Sequence, residues 1–594
     1  MGAVLMAGRA NPVKRLCGRV AAGGIGGLAV LFGVWACGGD SVPLPDGIYE
    51  DGQVARTSGG VVVAAQPLAA EAGAQMLRRG GNAADAAVAA AFAVSVVEPS
   101  MNSIGGRTQI LLRLPDGTVA GIDATTQAPA TYDPEIAPQA SYGYPTVGVP
   151  GAVAGLTRLL REHGTLPLDE VMAPAIELAG KGFRLLPGEA ARHAAGAQQL
   201  AEFEGSRNHF LTRSGEVRKA GDLFLQPYLA ATLAAISAGG ADAFYRGPIA
   251  ERIAADMAVH GGAVTTEALG EYRALDAPVV RGSYRGFELV GTDIPASGAV
   301  TIGILHILEH FDMSALDADT WAGLVGTAIA RAFEERAAAR SEGARDLAFM
   351  TGKAWAAGIA ASIDVPGAVR RAAASVSGRA TTSLVASHET RAGRAMADWD
   401  TGAWGPADGH TTHLSAADAD GMYVALTQTI GPNLGSKVVT PGLGFLHAAT
   451  LGGYLGHMEP GERARSSISP LMVLRDGQPV LVLGAAGGAR IISAVAQAIL
   501  RVVDQGMTLP EALAAARVHP IDGGVAMETS PGIGWAAADV AEVESWGMVV
   551  EGVEREGAFG RIHGIMAYPA TGEVVGVADP DWEGAAIAVP VQGR

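Results

Sequence analysis

Cysteine is almost missing from this chain. Of its 594 residues only Cys17 and Cys37 carry a thiol, and both fall within the first 37. Everything downstream lacks disulfides and thiol chemistry, which excludes a cystine-stapled scaffold or a cysteine nucleophile there. Positive charge is short as well: 43 Lys and Arg against 60 Asp and Glu leave a formal charge of −17. Aromatics make up only 5% and no basic stripe interleaves with them, so nucleic acid is not an expected partner. The 13 histidines show no zinc spacing; neither HGGAV (260–264) nor HTTH (410–413) is a metal motif, and no metal or cofactor is expected. After residue 37 no apolar run is long enough to span a bilayer.

What is present is a large core and many tight turns: 49% hydrophobic residues and 82 glycines. The N-terminus reads as a targeting segment. Lys14, Arg15 and Arg19 precede the uncharged apolar run Ala21 to Ala36, which ends at Cys37-Gly38-Gly39-Asp40. Residues 1–37 resemble a bacterial lipoprotein signal, with Cys37 lipidated after cleavage. A plain secretory signal or an uncleaved anchor is the alternative, since Trp35 is bulky for such a site. Residues 38–56 would form a polar tether. The expected location is exported, periplasmic or cell-surface, with the membrane met only through the lipid.

Further on, 68–98 reads as two helices broken at Gly80-Gly81, the second capped by Asn82 and buried almost all round. Residues 108–114 and 118–122 read as a hairpin about Pro115-Asp116-Gly117. A helical middle follows (152–182, 227–260, 300–340), then an Ala-, Ser- and Arg-rich stretch, about 340–410, that reads as a loose connector. From 411 the pattern turns to strands: TTHLSAADADGMYVALTQT (411–429), a hairpin in 471–484, a helix from Arg490 to Val503, and a hairpin in 563–580. Helical blocks with repeated hairpins predict sheets between helical layers.

Thr411 and Thr412 open the first of those strands. Threonine is a weak nucleophile unless a base sits beside it, and cutting the chain before it frees an α-amine that serves as that base. Gly487-Gly488, between a strand and a helix, can present backbone N–H groups to an oxyanion. Each feature has a plainer reading alone: Thr-Thr for β-propensity, Gly-Gly for a tight turn, Ser466-Ser467 for a turn before Pro470, and His413 for a structural hydrogen bond.

The order of segments resembles the gamma-glutamyltranspeptidase family of N-terminal-nucleophile hydrolases. The matching pieces include GGNAADAAVAAAFAVSVVEP (80–99), IGG (104–106), GVPGAVAGL (148–156), IPASGAVT (294–301), TTHLSAADADG (411–421), SSISP (466–470) and GAAGGARII (484–492). The resemblance implies an α/β (α+β) fold, a four-layer αββα sandwich, and a precursor that cuts itself between His410 and Thr411. Residues 57–410 would become the large subunit and 411–594 the small catalytic one. Thr411 would be the nucleophile, Thr429 its positioning hydroxyl, Gly487 and Gly488 the oxyanion donors, and Ser466 and Ser467 contacts for a substrate carboxylate. The acyl group of a small amide or peptide would pass to water or an acceptor amine.

Several glutamate-recognition positions depart from the family. Thr125 stands where a carboxylate-gripping arginine is expected, Gly431 replaces an asparagine, and Gly453 leaves no acid for the substrate ammonium. Arg107 appears where the family has glycine, either as a new substrate contact or as a salt-bridge partner. Three functions follow: γ-glutamyl hydrolysis or transfer, an acylase or amidase for another acyl group, and an inactive lipid-anchored binding protein. The intact Thr411, Thr429, Gly487 and Gly488 argue against the last.

Overall fold

Local chemistry sets the hairpins that frame the molecule. Asp418 receives the Asp420 and Met422 amides on one carboxylate oxygen and the Ala83 amide on the other, so it both closes a turn and caps a helix. Asp476 (φ 52°) and Gly477 (φ 73°) are both left-handed, the two-residue turn that matches strand twist. Asn82 and Asp85 form a reciprocal capping box that starts the helix Ala83–Val97, every residue of which is buried.

The computed structural model describes residues 48–136, 141–371, 410–455, 458–555 and 557–591, all within the compact unit Leu44–Arg594. Two seven-stranded antiparallel sheets face each other. The first runs Ala585–Val589, Gly60–Ala64, Thr412–Ala417, Tyr423–Thr429, Arg107–Arg113, Val119–Ala124 and Leu275–Asp276. The second runs Val54–Thr57, Glu573–Ala578, Arg561–Tyr568, Gln478–Ala486, Leu471–Arg475, Phe287–Thr292 and Val279–Tyr284. Val61, Val63, Leu111, Met472, Val482 and Ile565 fill the space between them. The outer face of the first sheet packs on Ala83–Val97 and its helical neighbours; that of the second packs on Gly298–Leu308, Ala318–Ser341 and Arg490–Gln505. These are the four layers, αββα, that the family resemblance implies.

Two segments expected to be irregular are not. Val54–Thr57, which begins inside the expected tether, pairs with Val574 to Val577 as an edge strand. Lys353–Ser362, inside the expected connector, is a helix that buries Ala356 and Ala360. A small sheet of Val518–Ile521, Gly524–Glu528 and Val549–Val553 was not expected. The signal segment with Cys37, the tether up to residue 47 and the connector over 372–409 lie outside the described residues. Among the described residues no helix is long and apolar enough to cross a membrane.

Candidate active site

Strand register draws the site as two facing rows. In the first sheet Thr412 pairs with Gln428, which brings Thr411 level with Thr429; Thr429 pairs in turn with Arg107. Thr108 pairs with Ala124, which brings Arg107 level with Thr125. Thr411, Thr429, Arg107 and Thr125 therefore form one line across four strands, on one face of the pleat. In the second sheet Ala486 pairs with Arg561, next to Gly487. The rows meet because a Cβ on Gly484 would lie only 2.4 Å from the His413 ring: glycine lets the sheets close there.

The nucleophile row converges on one carbonyl. The hydroxyls of Thr411 and Thr429 both donate to the His410 oxygen at 2.5 Å. The Gly431 amide donates to the Thr429 hydroxyl oxygen at 3.0 Å, fixing which way that hydroxyl points. Thr411 is only 4% exposed. A carbonyl polarised by two hydroxyls, in the peptide bond that precedes the threonine, lies within reach of attack by that residue's own Oγ. Burial holds the His410 imidazole well below its ordinary pKa, and Lys437, Arg561, Arg192 and Arg490 add to the shift. His413 is likewise depressed by burial and hydrogen-bonds Thr427 and Ser415, the structural role expected of it.

Gly487 (φ 132°) and Gly488 (φ 60°) take backbone conformations that side chains disfavour, and a Cβ on Gly487 would lie 2.9 Å from the Gly560 Cα. Their carbonyls accept from the Arg490 and Ile491 amides, at the start of the helix Arg490–Gln505. The turn thus sits at the positive end of a helix, with Arg490 acting on His410.

On the substrate side the gathering is uneven. Arg107 is buried beside the Tyr454 hydroxyl, with Nε and Nη1 lacking a hydrogen-bond partner; burial lowers its pKa. Thr125 turns away from such a role: its hydroxyl and amide both donate to Asp123, which also takes Gln109 and Arg463. The Ser466 hydroxyl oxygen accepts from the Ile468 amide. The Ser467 hydroxyl oxygen accepts from Arg336, not from Arg107.

Residues 69–589 match the gamma-glutamyltranspeptidase family profile. This chain belongs to the gamma-glutamyltranspeptidase family. It is 32% identical over 574 residues to a glutathione hydrolase proenzyme of Escherichia coli K12, covering 91% of this chain and 93% of that one. It is 36% identical over 492 residues to an acylase ACY 1 proenzyme of Pseudomonas sp. strain V22, covering 79% and 83%. The crystal structure of a cephalosporin acylase from Bacillus halodurans superposes with a TM-score of 0.79 at 25% identity, over 95% of this chain and all of that one. The fold is that of the N-terminal-nucleophile hydrolases.

Sequence reasoning missed three arginines of this gamma-glutamyltranspeptidase-family site. Arg463 holds Asp123, Arg336 reaches Ser467, and Arg561 stacks 3.3 Å from the Trp582 ring centroid. It also missed Glu98, inside the quoted VVEP motif. Glu98 accepts from Trp582 at 3.0 Å and faces the Thr412 hydroxyl; burial pushes its carboxyl up to about 7 against the pull of Arg192. Each of these partners is distant in sequence, so no local pattern announces it.

Proposed function

We propose that the chain is an autoprocessing amidohydrolase or acyltransferase, acting on a γ-glutamyl or related amide through Thr411. The observation that carries this reading is the His410 carbonyl, held by the Thr411 and Thr429 hydroxyls at once. In self-cleavage the Thr411 Oγ attacks that carbonyl carbon. The C–N bond breaks, the hydroxyl proton passes to the nitrogen, and an ester forms on Thr411. Water hydrolyses the ester, leaving His410 as a carboxylate and Thr411 with a free α-amine and hydroxyl. In turnover the α-amine takes the Oγ proton as Oγ attacks the substrate carbonyl. The Gly487 and Gly488 amides hold the oxyanion, the amine leaves with a proton, and the acyl group goes to water or an acceptor amine. No cofactor enters any step.

The relatives named glutathione hydrolase and acylase support both forms of this activity. One observation favours an acyl group other than γ-glutamyl: Thr125 spends its hydroxyl on Asp123 and offers no cation to an α-carboxylate. Arg107, with two buried N–H groups unpartnered, is the group in the nucleophile row that would meet a carboxylate instead. The test is anilide hydrolysis by the purified chain and by Thr411→Ala. Release of aniline from the parent alone supports the reading; equal release from both contradicts it.

Export and lipid attachment at Cys37 are proposed with it, on the apolar run that ends at that cysteine. Two or more acyl chains anchor stably where one is marginal. Cys37→Ala should move the protein from the membrane to the soluble fraction; unchanged fractionation would reject the anchor.

A further inference from the structure

Among the described residues, one buried cation beside the scissile bond has no anion. Lys437 lies in the loop that follows Thr429 and is 5% exposed. That loop is locked to the nucleophile row: the Gly431 amide holds the Thr429 hydroxyl, and a Cβ on Gly435 would lie 3.1 Å from the Ile430 carbonyl oxygen. Lys437 takes a left-handed backbone (φ 64°), which glycine adopts freely and lysine does not. Its amide donates to the Leu434 carbonyl at 2.9 Å and its carbonyl accepts the Ser206 hydroxyl at 2.6 Å, which hold it there. Those bonds use only its main chain. Among the described residues no hydrogen bond or ion pair engages the ammonium, and burial pushes its pKa down to about 8. Of the charges acting on His410, Lys437 comes first, then Arg561, Arg192 and Arg490; all four are cations. The other three have further duties. Arg561 stacks on Trp582 and feels Asp581, Arg192 is paired with Glu189, and Arg490 opens the helix after Gly487-Gly488. Glu98, the carboxyl that faces Thr412, has Arg192 and Glu189 as its charged neighbours.

We propose that Lys437 is a positioning residue for the general base: its ammonium holds the freed Thr411 α-amine in the neutral form that accepts the Oγ proton. A free α-amine titrates at about 7.7–8.0, so near neutral pH much of it is protonated and cannot act as a base. A cation beside it disfavours that protonated form. Self-cleavage leaves the amine where the His410–Thr411 peptide nitrogen was, in the field that Lys437 exerts on His410. Lys437 keeps its charge up to about pH 8. Its field is therefore present wherever the amine would otherwise take a proton, and fades only where the amine is neutral unaided. The left-handed backbone fixes a side chain that packing alone would not place there. This rests on the amidohydrolase reading above and adds to it the group that sets the lower pH limit of turnover.

The test is the pH dependence of kcat/KM for γ-glutamyl and valeryl p-nitroanilides, with the parent chain, Lys437→Met, Lys437→Gly and Lys437→Arg. Division into two fragments on a denaturing gel reports a folded, competent centre in each variant. The acid limb of the profile reports the base of the free enzyme. It should move up by about one pH unit in Lys437→Met and Lys437→Gly, so that kcat/KM falls about tenfold at the acid end and stays within about twofold on the plateau. Lys437→Gly removes the cation from a backbone that glycine adopts freely, and is the variant to read if the methionine form does not divide. Lys437→Arg keeps the charge and should return the limb to the parent position. In a Glu98→Gln background the shift should persist. A limb unmoved by both neutral variants overturns the proposal, as does an equal loss at every pH, the mark of a substrate contact or of packing. A limb that disappears in Glu98→Gln belongs to that carboxyl and overturns it too. If the parent divides and none of the three Lys437 variants does, Lys437 serves self-cleavage and the proposal falls. A parent chain that neither divides nor cleaves either anilide rejects the amidohydrolase reading itself, a separate failure.

Discussion

Two threonine hydroxyls share the His410 carbonyl, and their two roles can be separated. Thr411 must attack; Thr429 only has to donate. Thr429→Val keeps the shape and deletes the donor. Self-cleavage should slow about a hundredfold, the usual loss when one donor to a reacting carbonyl is removed. A gel time course of freshly made precursor reads this; a rate within twofold of the parent would remove Thr429 from the mechanism. Glu98 gives a second residue-scale test. Its pKa rises from 4.5 to about 7 on folding, so the fold prefers its neutral form. Its contribution is complete below about 4.5 and is lost as pH rises through 7. Nearby Glu189 behaves oppositely: burial would raise it, but Arg192 and His193 hold it down to about 2, so its contribution is lost only in strong acid. In an uncut Thr411→Ala background, Glu98→Gln should therefore raise Tm more at pH 8 than at pH 5. An equal change at both pH values would contradict this.

At the scale of elements, the site is made by register. The hairpin Thr412–Ala417 to Tyr423–Thr429 was legible in the sequence because its turn residues and alternation are local, and counting back from the turn places Thr429 beside Thr411. The strand–glycine–helix run through Gly487 was legible for the same reason. Val54–Thr57 was not, since an edge strand with intermediate burial carries no alternation. Neither were Arg336, Arg463 and Arg561, whose partners sit on other elements, remote in sequence. The closing of the two sheets on each other depends on Gly484. Adding a methyl there drives it into the His413 ring. Gly484→Ala should cost about 1–3 kcal/mol of stability, as overpacking does, and should slow self-cleavage by shifting one row against the other. Denaturant unfolding of the Thr411→Ala precursor, with and without the substitution, measures it; an unchanged midpoint would mean the sheets do not need glycine there to close.

At the scale of the molecule, the expected cut does not divide the fold. Gly60–Ala64 lies between Ala585–Val589 and Thr412–Ala417, and Arg107–Arg113 pairs with Tyr423–Thr429. In the second sheet the four strands after residue 411 are flanked by Val54–Thr57 and Phe287–Thr292. Both products would hold each other through continuous backbone ladders and three hydrophobic layers. The mature protein should elute as one species under native conditions and separate only when denatured. Two native peaks after cleavage would contradict the interleaved topology. The central claim, that Thr411 is both the first residue freed and the nucleophile, is tested most directly by N-terminal sequencing of the smaller fragment from the purified, active protein. The account predicts Thr-Thr-His-Leu-Ser. A different first residue, or a single undivided chain that still hydrolyses amides, would contradict it.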